Sequence, residues 1–274
     1  MNTTKSIQTY SSLLEDSFTR PFGLPRYSFE ALEATDEYQK WINYQSSCML
    51  LLYGETRAAQ TSLCWLSPAA TGLAASLKRR ASTSPADHKI AVAEAYCETI
   101  DLPSKAIRDS PISETSIIIS FILQLLKADP STLSTREAFS RLQTRLKPFT
   151  ASARDISSDD DTLGPGRSAV YDDADFTRAC DLLARECLHP FEEVYLIIDR
   201  ADRVADPGRF VKYLLSRFID DPDEGDSGAQ GRATKLKILC IAAREGEAFG
   251  RIDRVRNEFD GSALLSLQVD QYRT

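Results

Sequence analysis

Four runs of apolar residues stand out along the chain, and each is continuous rather than alternating with polar positions. A continuous apolar run of about four to eight residues predicts a β-strand that is covered on both faces of its sheet. The predicted strands span residues 48–53, 89–97, 194–199 and 236–243, and a weaker fifth run spans 263–269. The chain is therefore expected to build a sheet that is buried between two helical layers.

Helical patterns separate these predicted strands. They span residues 61–80, 113–129, 175–188 and 207–220. Ser113 and Pro207 suit the starts of the second and fourth helices. Pro68 and Gly72 are expected to bend or interrupt the first helix, because proline lacks an N–H donor and glycine weakens a helix interior.

Strands that alternate with helices pair in parallel, because each helix carries the chain back across the sheet. The alternation therefore predicts an α/β fold, a three-layer sandwich around a mostly parallel five-stranded sheet. Around it, we expect a flexible N-terminal lead over residues 1–27 and one domain over residues 28–274. Residues 155–175 and 220–235 are rich in Asp, Ser and Gly, which predicts two exposed acidic loops.

Composition limits the function classes. The 274 residues are 42% hydrophobic and 27% charged, with a formal net charge of -7. An acidic excess disfavours nonspecific binding to nucleic acid or to an anionic membrane. The sequence contains neither a run near the ~18 apolar residues of a membrane span nor the apolar core of a signal peptide. We therefore expect a cytoplasmic protein whose partners are proteins or further copies of itself, and neither nucleic acid nor membrane.

Cysteine and histidine usage narrows the chemistry. The six cysteines form no CxxC pair and mostly lie in or beside apolar runs, so reduced, buried thiols are expected. The spacing of Cys180, Cys187 and His189 matches no common zinc pattern. His88 and His189 are the only two histidines, which argues against a hydrolase of the serine–histidine–aspartate kind.

The stretch MLLLYGETRAAQTSL, residues 49–63, runs from the first predicted strand through a glycine toward the first predicted helix. In a phosphate-binding loop, GxxxxGK[ST], backbone N–H groups surround the phosphates, the lysine neutralises them and the hydroxyl holds the metal. On this template the first glycine survives as Gly54. The hydroxyl survives as Thr61, with Ser62 beside it.

The second glycine and the lysine of that loop are replaced. Ala59 adds a Cβ where backbone must approach phosphate closely, and Gln60 can donate a hydrogen bond but carries no charge. Glu55 places a negative charge inside the loop. Arg57 is the residue that could partly substitute for the missing cation.

Two later segments complete the same predicted edge of the sheet. VYLIIDRADR, residues 194–203, is an apolar strand that ends in Asp199, the form of a Walker B segment whose aspartate holds Mg²⁺ through water. KILCIAAR, residues 237–244, is a strand that ends in Arg244. Ligands of open parallel sheets bind at the carboxyl ends of the strands, so the three segments are expected to converge on one crevice.

A simpler interpretation of the same residues remains open. Asp199 and the nearby Asp202 could cap the following turn and pair with Arg200 or Arg203. Arg244 could likewise pair with Glu245 or Glu247 rather than with a phosphate.

The order and spacing of these segments resemble the NACHT-type STAND P-loop NTPases, in particular those of fungal NOD-like receptor proteins. The resemblance runs from about Phe29 to the end of the chain and includes Trp41 ahead of the first strand. The second strand and its helix, AVAEAYCE and SIIISFILQLL, are similar to the corresponding family segments.

The motifs depart from the family pattern at defined positions. In YLIIDRADRV, Asp199 and Asp202 correspond to the family's Walker B aspartates, but Arg203 stands where the family has a glutamate. In KILCIAAR, Arg244 corresponds to the sensor arginine, and Ala242 replaces a threonine.

The resemblance implies ATP or GTP as ligand, with Mg²⁺ held by Thr61 and Asp199 if nucleotide binds. Without the lysine, the site loses a charge-assisted contact, which is roughly twice as strong as a neutral one. With Arg203 in place of the glutamate, it loses the group that would activate water. Hydrolysis is therefore not expected, and nucleotide binding is expected to be weak or absent.

Three functions stay open on the sequence. The first is a degenerate, pseudo-NTPase module for signalling or protein association, and damage to all three motifs at once favours it. The second is an active ATP- or GTP-dependent molecular switch of the STAND type. The third is an unrelated α/β enzyme. An open crevice above Gly54 and Thr61 would support nucleotide binding, whereas side chains that fill it would support the first function.

Overall fold

The computed structural model describes residues 26–55, 64–85, 88–97, 112–154, 173–220, 234–244, 246–259 and 263–270. Its sheet contains β1 (Cys48–Gly54), β2 (Ile90–Tyr96), β3 (Glu193–Asp199), β4 (Lys235–Ala243) and β5 (Leu264–Val269). The strand order is β2-β3-β4-β1-β5, and every pair of neighbours is parallel. All five predicted strands are thus confirmed, as is the α/β fold with a parallel five-stranded sheet of the P-loop NTPase type.

The described helices are α1 (Phe29–Glu33), α2 (Asp36–Asn43), α3 (Ser67–Thr83), α4 (Glu114–Ala128), α5 (Arg136–Arg154), α6 (Asp173–Leu182), α7 (Pro207–Leu215) and α8 (Gly246–Glu258). Both α6 and α7 continue into a π-helical turn, over Leu183–Cys187 and Ser216–Asp220. Short 3-10 turns cover Pro130–Leu133 and Ala201–Arg203. The predicted helices after β2 and around β3 are confirmed.

The helix after β1 differs from its prediction. It begins at Ser67 rather than at residue 61, and Pro68 lies in its first turn, where no N–H is needed. Gly72 lies inside the helix without interrupting it. A Cβ on Gly72 would stand 2.6 Å from the Cβ of Phe29, so the glycine allows α1 to pack closely on α3. The predicted helical run is thus interrupted at Pro68, as expected, whereas the prediction that Gly72 interrupts it is wrong.

Two apolar cores cover the two faces of the sheet. Along β1, Cys48, Leu50 and Leu52 face the core formed with α1, α2 and α3. Met49 and Leu51 face the larger core formed with α4, α6, α7 and α8. All residues of β1 are buried, which is why the apolar run is continuous rather than alternating. The α5 helix packs on the second core and contributes Leu142 and Phe149 to it.

Several sequence predictions fall largely outside the described residues. These include the flexible lead, of which 1–25 are not described, and most of the two acidic loops. Tyr27, at the end of the predicted lead, is buried, and its N–H donates to the carbonyl of Trp65 at 2.8 Å. The last three residues of the first acidic loop, 173–175, form the first turn of α6, where Asp173 and Asp175 suit the positive end of the helix dipole. A loop at those three positions was a wrong prediction.

All six cysteines are free and buried, as expected. None of the described helices combines the length and the apolar character needed to cross a membrane.

Candidate functional site

The carboxyl ends of β1 and β4 meet as the sequence predicts. The register places Gly54 opposite Ala243 on β4 and opposite Val269 on β5. Immediately beyond β4, the backbone N–H of Arg244 donates to the carbonyl of Gly54 at 2.8 Å. The two predicted site residues Gly54 and Arg244 are therefore in direct backbone contact at one edge of the sheet.

The loop between β1 and α3 carries most of the predicted nucleotide contacts. Arg57, Ala59, Gln60, Thr61 and Ser62 all lie outside the described residues, so their roles stay predictions. The described chain resumes at residue 64, and α3 begins at Ser67 after Leu66, whose side chain makes no capping hydrogen bond. The prediction that this helix opens at Thr61 is wrong.

Trp65 packs directly against the end of β1. Its side chain is buried, and its indole N–H donates to the carbonyl of Glu55 at 3.1 Å. A Cβ on Gly54 would stand 2.9 Å from the Trp65 ring and 2.6 Å from the carbonyl oxygen of Val269. The described contacts therefore require a glycine at position 54 for packing, whether or not a phosphate binds nearby.

At the end of β3, Asp199 is fully buried, and the chain then turns sharply. Arg200 adopts the left-handed conformation, with φ 61° and ψ 48°, which is uncommon for a residue with a Cβ and indicates a locally constrained backbone. This turn brings the Arg200 guanidinium onto the carboxylate of Asp202. The Nε–Oδ1 distance is 3.1 Å, and the Nη2–Oδ2 distance is 2.9 Å.

Asp202 also connects β3 to β4. Its Oδ1 accepts a hydrogen bond from the backbone N–H of Ala243 at 3.0 Å. Both members of the Arg200–Asp202 pair are buried, with side-chain exposures of 8% and 9%. The guanidinium, the carboxylate and the strand-end N–H therefore all have hydrogen-bond partners within this pair and its contact to Ala243. We call Trp65, Arg200 and Asp202 the strand-end cluster.

The charges of this edge act on two neighbouring thiols. Burial raises the pKa of Cys64 to about 12, with Arg200 lowering that pKa and Asp199 and Asp202 raising it. Burial also raises the pKa of Cys97 well above its ordinary value, and Asp199 and Asp202 raise it further. Cys64 directly precedes Trp65, and Cys97 directly follows β2. The chain that leads into α3 therefore lies within electrostatic reach of the β3 end.

Arg244 lies near Glu55, a partner that was not considered from the sequence, and of the two that were considered Glu245 lies outside the described residues. Its Nη1 atom lies 3.8 Å from Oε1 of Glu55, and its side chain is 41% exposed. An exposed pair at this distance contributes at most about 1 kcal/mol to stability. Arg203, at the position of the family's glutamate, makes its described contact through the backbone, where its carbonyl accepts the N–H of Ile112 at 3.1 Å.

Of the two ligands that the resemblance implies for Mg²⁺, Thr61 lies outside the described residues, so only Asp199 can be compared with what the ion requires. Mg²⁺ keeps several waters and requires accessible oxygen ligands. The carboxylate of Asp199 is fully buried, and that of Asp202 already binds a guanidinium and an amide. A hydrated cation beside the buried Arg200 would require this pair to separate.

No family model matches the chain, and no curated protein matches its sequence. The chain is similar to a solved archaeal structure. This is the ORC2 protein of Aeropyrum pernix with ADPNP and ADP, at 15% identity and a TM-score of 0.40, covering 93% of this chain and 51% of that chain. The ADP form of the same protein gives 12% identity and a TM-score of 0.38, covering 93% of this chain and 52% of that chain. The chain spans about half the length of those structures, and the fold assignment rests on its own strand order.

The sequence did not predict that the side chains of Trp65 and Arg200 lie buried at this edge. Trp65 was assigned to a helix, although Pro68 just after it is a signal that the helix begins at that point. Arg200 was considered only as a surface partner of aspartates. Its burial depends on the left-handed turn after β3, for which the sequence offers no glycine or asparagine as a signal.

Proposed function

We propose that this chain is a NACHT-like domain of P-loop NTPase fold that acts as a pseudo-NTPase, a signalling or protein-association module that binds ATP weakly or not at all. The observation that carries the proposal is the strand-end cluster. At the edge where a P-loop NTPase presents donors to phosphate, this protein presents the Arg200–Asp202 ion pair and the Trp65 ring, which packs against Gly54.

The charge at this edge supports weak or absent binding. A phosphate-binding loop needs a cation that is available to the ligand. The described buried cation, Arg200, is held by two hydrogen bonds to Asp202. Separating a buried ion pair leaves an uncompensated charge, which typically costs about 3–5 kcal/mol. A nucleotide that recruited this guanidinium would have to offset that cost.

The packing at this edge also supports a scaffold. The ring of Trp65 lies against Gly54, and Cys64 and Leu66 on either side of it are fully buried. Side chains, rather than open space, therefore adjoin the described end of β1. This packing beside Gly54 supports a module that kept the sheet and lost the chemistry, and the part of the crevice at Thr61 lies outside the described residues.

Loss of catalysis follows from the end of β3. Hydrolysis requires a group that orients or activates water close to the phosphate. Arg203 occupies the position of the family's glutamate and cannot accept a proton at neutral pH. Asp202, the other carboxylate of this segment, is bound by Arg200 and by the N–H of Ala243.

The residues that carry the NACHT-like resemblance ahead of β1 have structural roles consistent with it. Trp41 is fully buried and meets the ring of Tyr195 on β3 at 5.8 Å between centroids. Phe29 meets Tyr38 at 5.9 Å and packs against Gly72. These contacts attach α1 and α2 to the core beneath β1 and β3.

One observation favours the alternative, an active ATP- or GTP-dependent switch. Arg244 keeps a partly exposed side chain at the edge and faces Glu55 at 3.8 Å, a distance beyond that of a hydrogen bond. A phosphate could displace Glu55 from this arginine. The alternative also requires the Arg200–Asp202 pair to open when nucleotide binds.

Titration calorimetry with Mg-ATP tests the proposal on three proteins: the wild type, Ala59→Gly with Gln60→Lys, and the same double variant with Trp65→Ala. Because the strand-end cluster fills the edge, we expect no binding by the wild type and none after the loop alone is restored. The third protein tests whether the Trp65 side chain, rather than the replaced loop residues, prevents nucleotide binding. Micromolar binding by the wild type, abolished by Arg244→Ala, would establish the switch instead.

A further inference from the structure

The two edge strands of the sheet differ in how their backbone groups are used. Because the strand order is β2-β3-β4-β1-β5, β2 forms one edge of the sheet and β5 forms the other. An edge strand carries a row of N–H and C=O groups that face away from the sheet, and this row can pair with a further strand. The contacts of these groups therefore show which edge is open to a partner.

A side chain of α4 covers part of the β2 edge. Nε2 of Gln124 donates to the carbonyl of Glu94 on β2 at 2.8 Å, and Oε1 of Gln124 accepts the Glu94 N–H at 3.0 Å. The Gln124 amide thus takes the place of a neighbouring strand at this residue. The Glu94 side chain is buried and pairs with Lys78, and an inward-pointing charge is a common protection of a sheet edge.

The backbone of β5 is open along its outer side. The N–H of Met49 on β1 donates to the carbonyl of Ala263 at 2.9 Å, which shows that the odd-numbered residues of β5 are those that bind β1. The N–H and C=O groups of Leu264, Ser266 and Gln268 consequently point away from the sheet. Within the described part of the chain, these outward groups have no hydrogen-bond partner.

The side chains of β5 also suit strand pairing. Its six residues, LLSLQV, include no charged residue, proline or glycine, although charge and proline are common protections of an edge strand. Leu265 and Leu267 are half-buried against the core formed with α1, α2 and α3. Because side chains alternate along a strand, Ser266 and Gln268 lie on the opposite face, where both are exposed.

An antiparallel second copy of β5 satisfies all of the outward backbone groups. About a twofold axis at Ser266, this residue exchanges both of its hydrogen bonds with Ser266 of the second copy, and Leu264 exchanges its own with Gln268. The same register places Leu265 of each copy opposite Leu267 of the other, at a non-hydrogen-bonded pair, where cross-strand side chains are closest. Since the strand is uncharged, no like charges meet across the axis. The sequence of β5 is therefore complementary to itself.

We propose that β5 is an association surface at which two copies of this chain pair in antiparallel, so that their two sheets become continuous. A twofold pair uses the same surface on both copies and leaves neither β5 edge open, which ends the assembly at a dimer. One pair of strands buries a small area, so the dissociation constant is expected in the roughly micromolar range. The inference rests on the proposed role in protein association and identifies a second copy as the partner.

Sedimentation equilibrium of the full chain from roughly 1 to 100 μM tests the dimer. Ser266→Pro removes an outward N–H without affecting the bonds to β1 and should abolish the dimer over this range. Ser266→Lys keeps that N–H but places two ammonium groups opposite each other, which should weaken the dimer about fivefold. Ser140→Lys adds the same charge at an exposed position of α5 and should leave the dimer unchanged. Both lysine variants should keep the wild-type melting temperature.

Disulfide formation tests the register. Antiparallel residues that share both hydrogen bonds have Cα atoms about 5.5 Å apart, which a disulfide can span. Ser266→Cys should therefore form a covalent dimer when it is oxidised with diamide. In Gln268→Cys the two introduced thiols would lie roughly 13 Å apart and should not link. The six native cysteines are buried, so the introduced thiol is the one that diamide reaches.

Three results would overturn the proposal. The first is a wild-type chain that stays monomeric throughout the concentration range, or a dimer that Ser266→Pro leaves intact. The second is equal disulfide formation at positions 266 and 268. The third comes from amide hydrogen exchange: protection of the Ser266 N–H that does not depend on protein concentration would show that a segment of the same chain covers the edge. None of these results bears on nucleotide binding, because the outward groups of β5 do not belong to the strand-end cluster.

Discussion

Asp202 holds Arg200 by two hydrogen bonds, Nε–Oδ1 at 3.1 Å and Nη2–Oδ2 at 2.9 Å, inside the edge of the sheet where a nucleotide would bind. The same carboxylate accepts the N–H of Ala243 on the neighbouring strand. Because the Arg200 guanidinium and the Ala243 N–H both bind this one carboxylate, Asp202 is a structural centre of this edge.

Replacing Asp202 should therefore destabilise the fold. Asp202→Ala removes the carboxylate that binds both the Arg200 guanidinium and a strand-end N–H, and we expect a loss of about 3 kcal/mol in the free energy of unfolding. Asp202→Asn keeps an acceptor for Ala243 and should cost less. Urea unfolding followed by circular dichroism measures both.

Glu258→Ala is the matched control for the two Asp202 variants, because it removes a carboxylate from an exposed ion pair. Glu258 binds Lys212 at 2.6 Å, but both side chains are 53% exposed, so its removal should change stability by at most about 0.5 kcal/mol. A loss in Asp202→Ala as small as in this control would show that the Arg200–Asp202 pair does not support the edge.

Gly54 should be intolerant of a side chain for reasons of packing. A Cβ would stand 2.6 Å from the backbone oxygen of Val269, which cannot move without displacing β5. We expect Gly54→Ala to destabilise by about 1–3 kcal/mol. Gly250→Ala is a suitable comparison, because nothing lies within 4 Å of its added Cβ.

Gly250 lies within α8, so alanine there should be neutral or stabilising by up to about 1 kcal/mol. Thermal unfolding of Gly54→Ala, Gly250→Ala and the wild type shows whether each substitution lowers or raises the stability. Equal stability of Gly54→Ala and the wild type would contradict the close contact with Val269.

Alkaline pH should weaken the fold through its buried thiols. Burial raises the pKa of Cys64, Cys187 and Cys240 from an ordinary value of 9.0 to about 12. An acid whose pKa is raised by folding contributes stability that is present below its unfolded pKa and is lost as pH rises through its folded pKa. Stability should therefore fall progressively between pH 9 and 12. The buried Lys237 opposes this trend, since burial lowers its pKa.

Urea unfolding at a series of pH values in that window measures the slope. Cys240→Ala removes one fully buried thiol and should flatten the dependence, although the smaller side chain also lowers stability at neutral pH. A free energy of unfolding that stays constant through the window in the wild type would contradict the burial of these thiols.

The strands were predictable because their burial is visible in composition. A strand covered on both faces, such as β1, carries apolar residues at every position, and the sequence pattern records this directly. Helices that depend on tertiary packing were harder to detect. In α8 the buried residues Phe249, Ile252 and Val255 recur at a spacing of three, but two glycines weaken the local signal.

The candidate site was predictable in its location but not in its contents. Parallel strands must end at the same edge, so Gly54 and Arg244 could be brought together from the sequence alone. Pairing of Asp202 with Arg200 was one of the interpretations left open and is confirmed, but its burial was not predicted, because it depends on the left-handed turn after β3. Trp65 was predicted to lie in the helix, because the apolar pattern continues without a break into α3. In the structure, Cys64, Trp65 and Leu66 precede that helix.

The melting temperature of the wild-type chain with and without millimolar Mg-ATP tests the central claim most directly. A ligand that binds only the folded state at one hundred times its dissociation constant adds about 2.7 kcal/mol of stability, which raises the melting temperature by several degrees. We predict no change, because the lysine of the phosphate-binding loop is replaced by Gln60 and the Arg200 guanidinium is bound by Asp202. A rise of several degrees that is lost in Arg244→Ala would contradict the account and establish a nucleotide-binding switch.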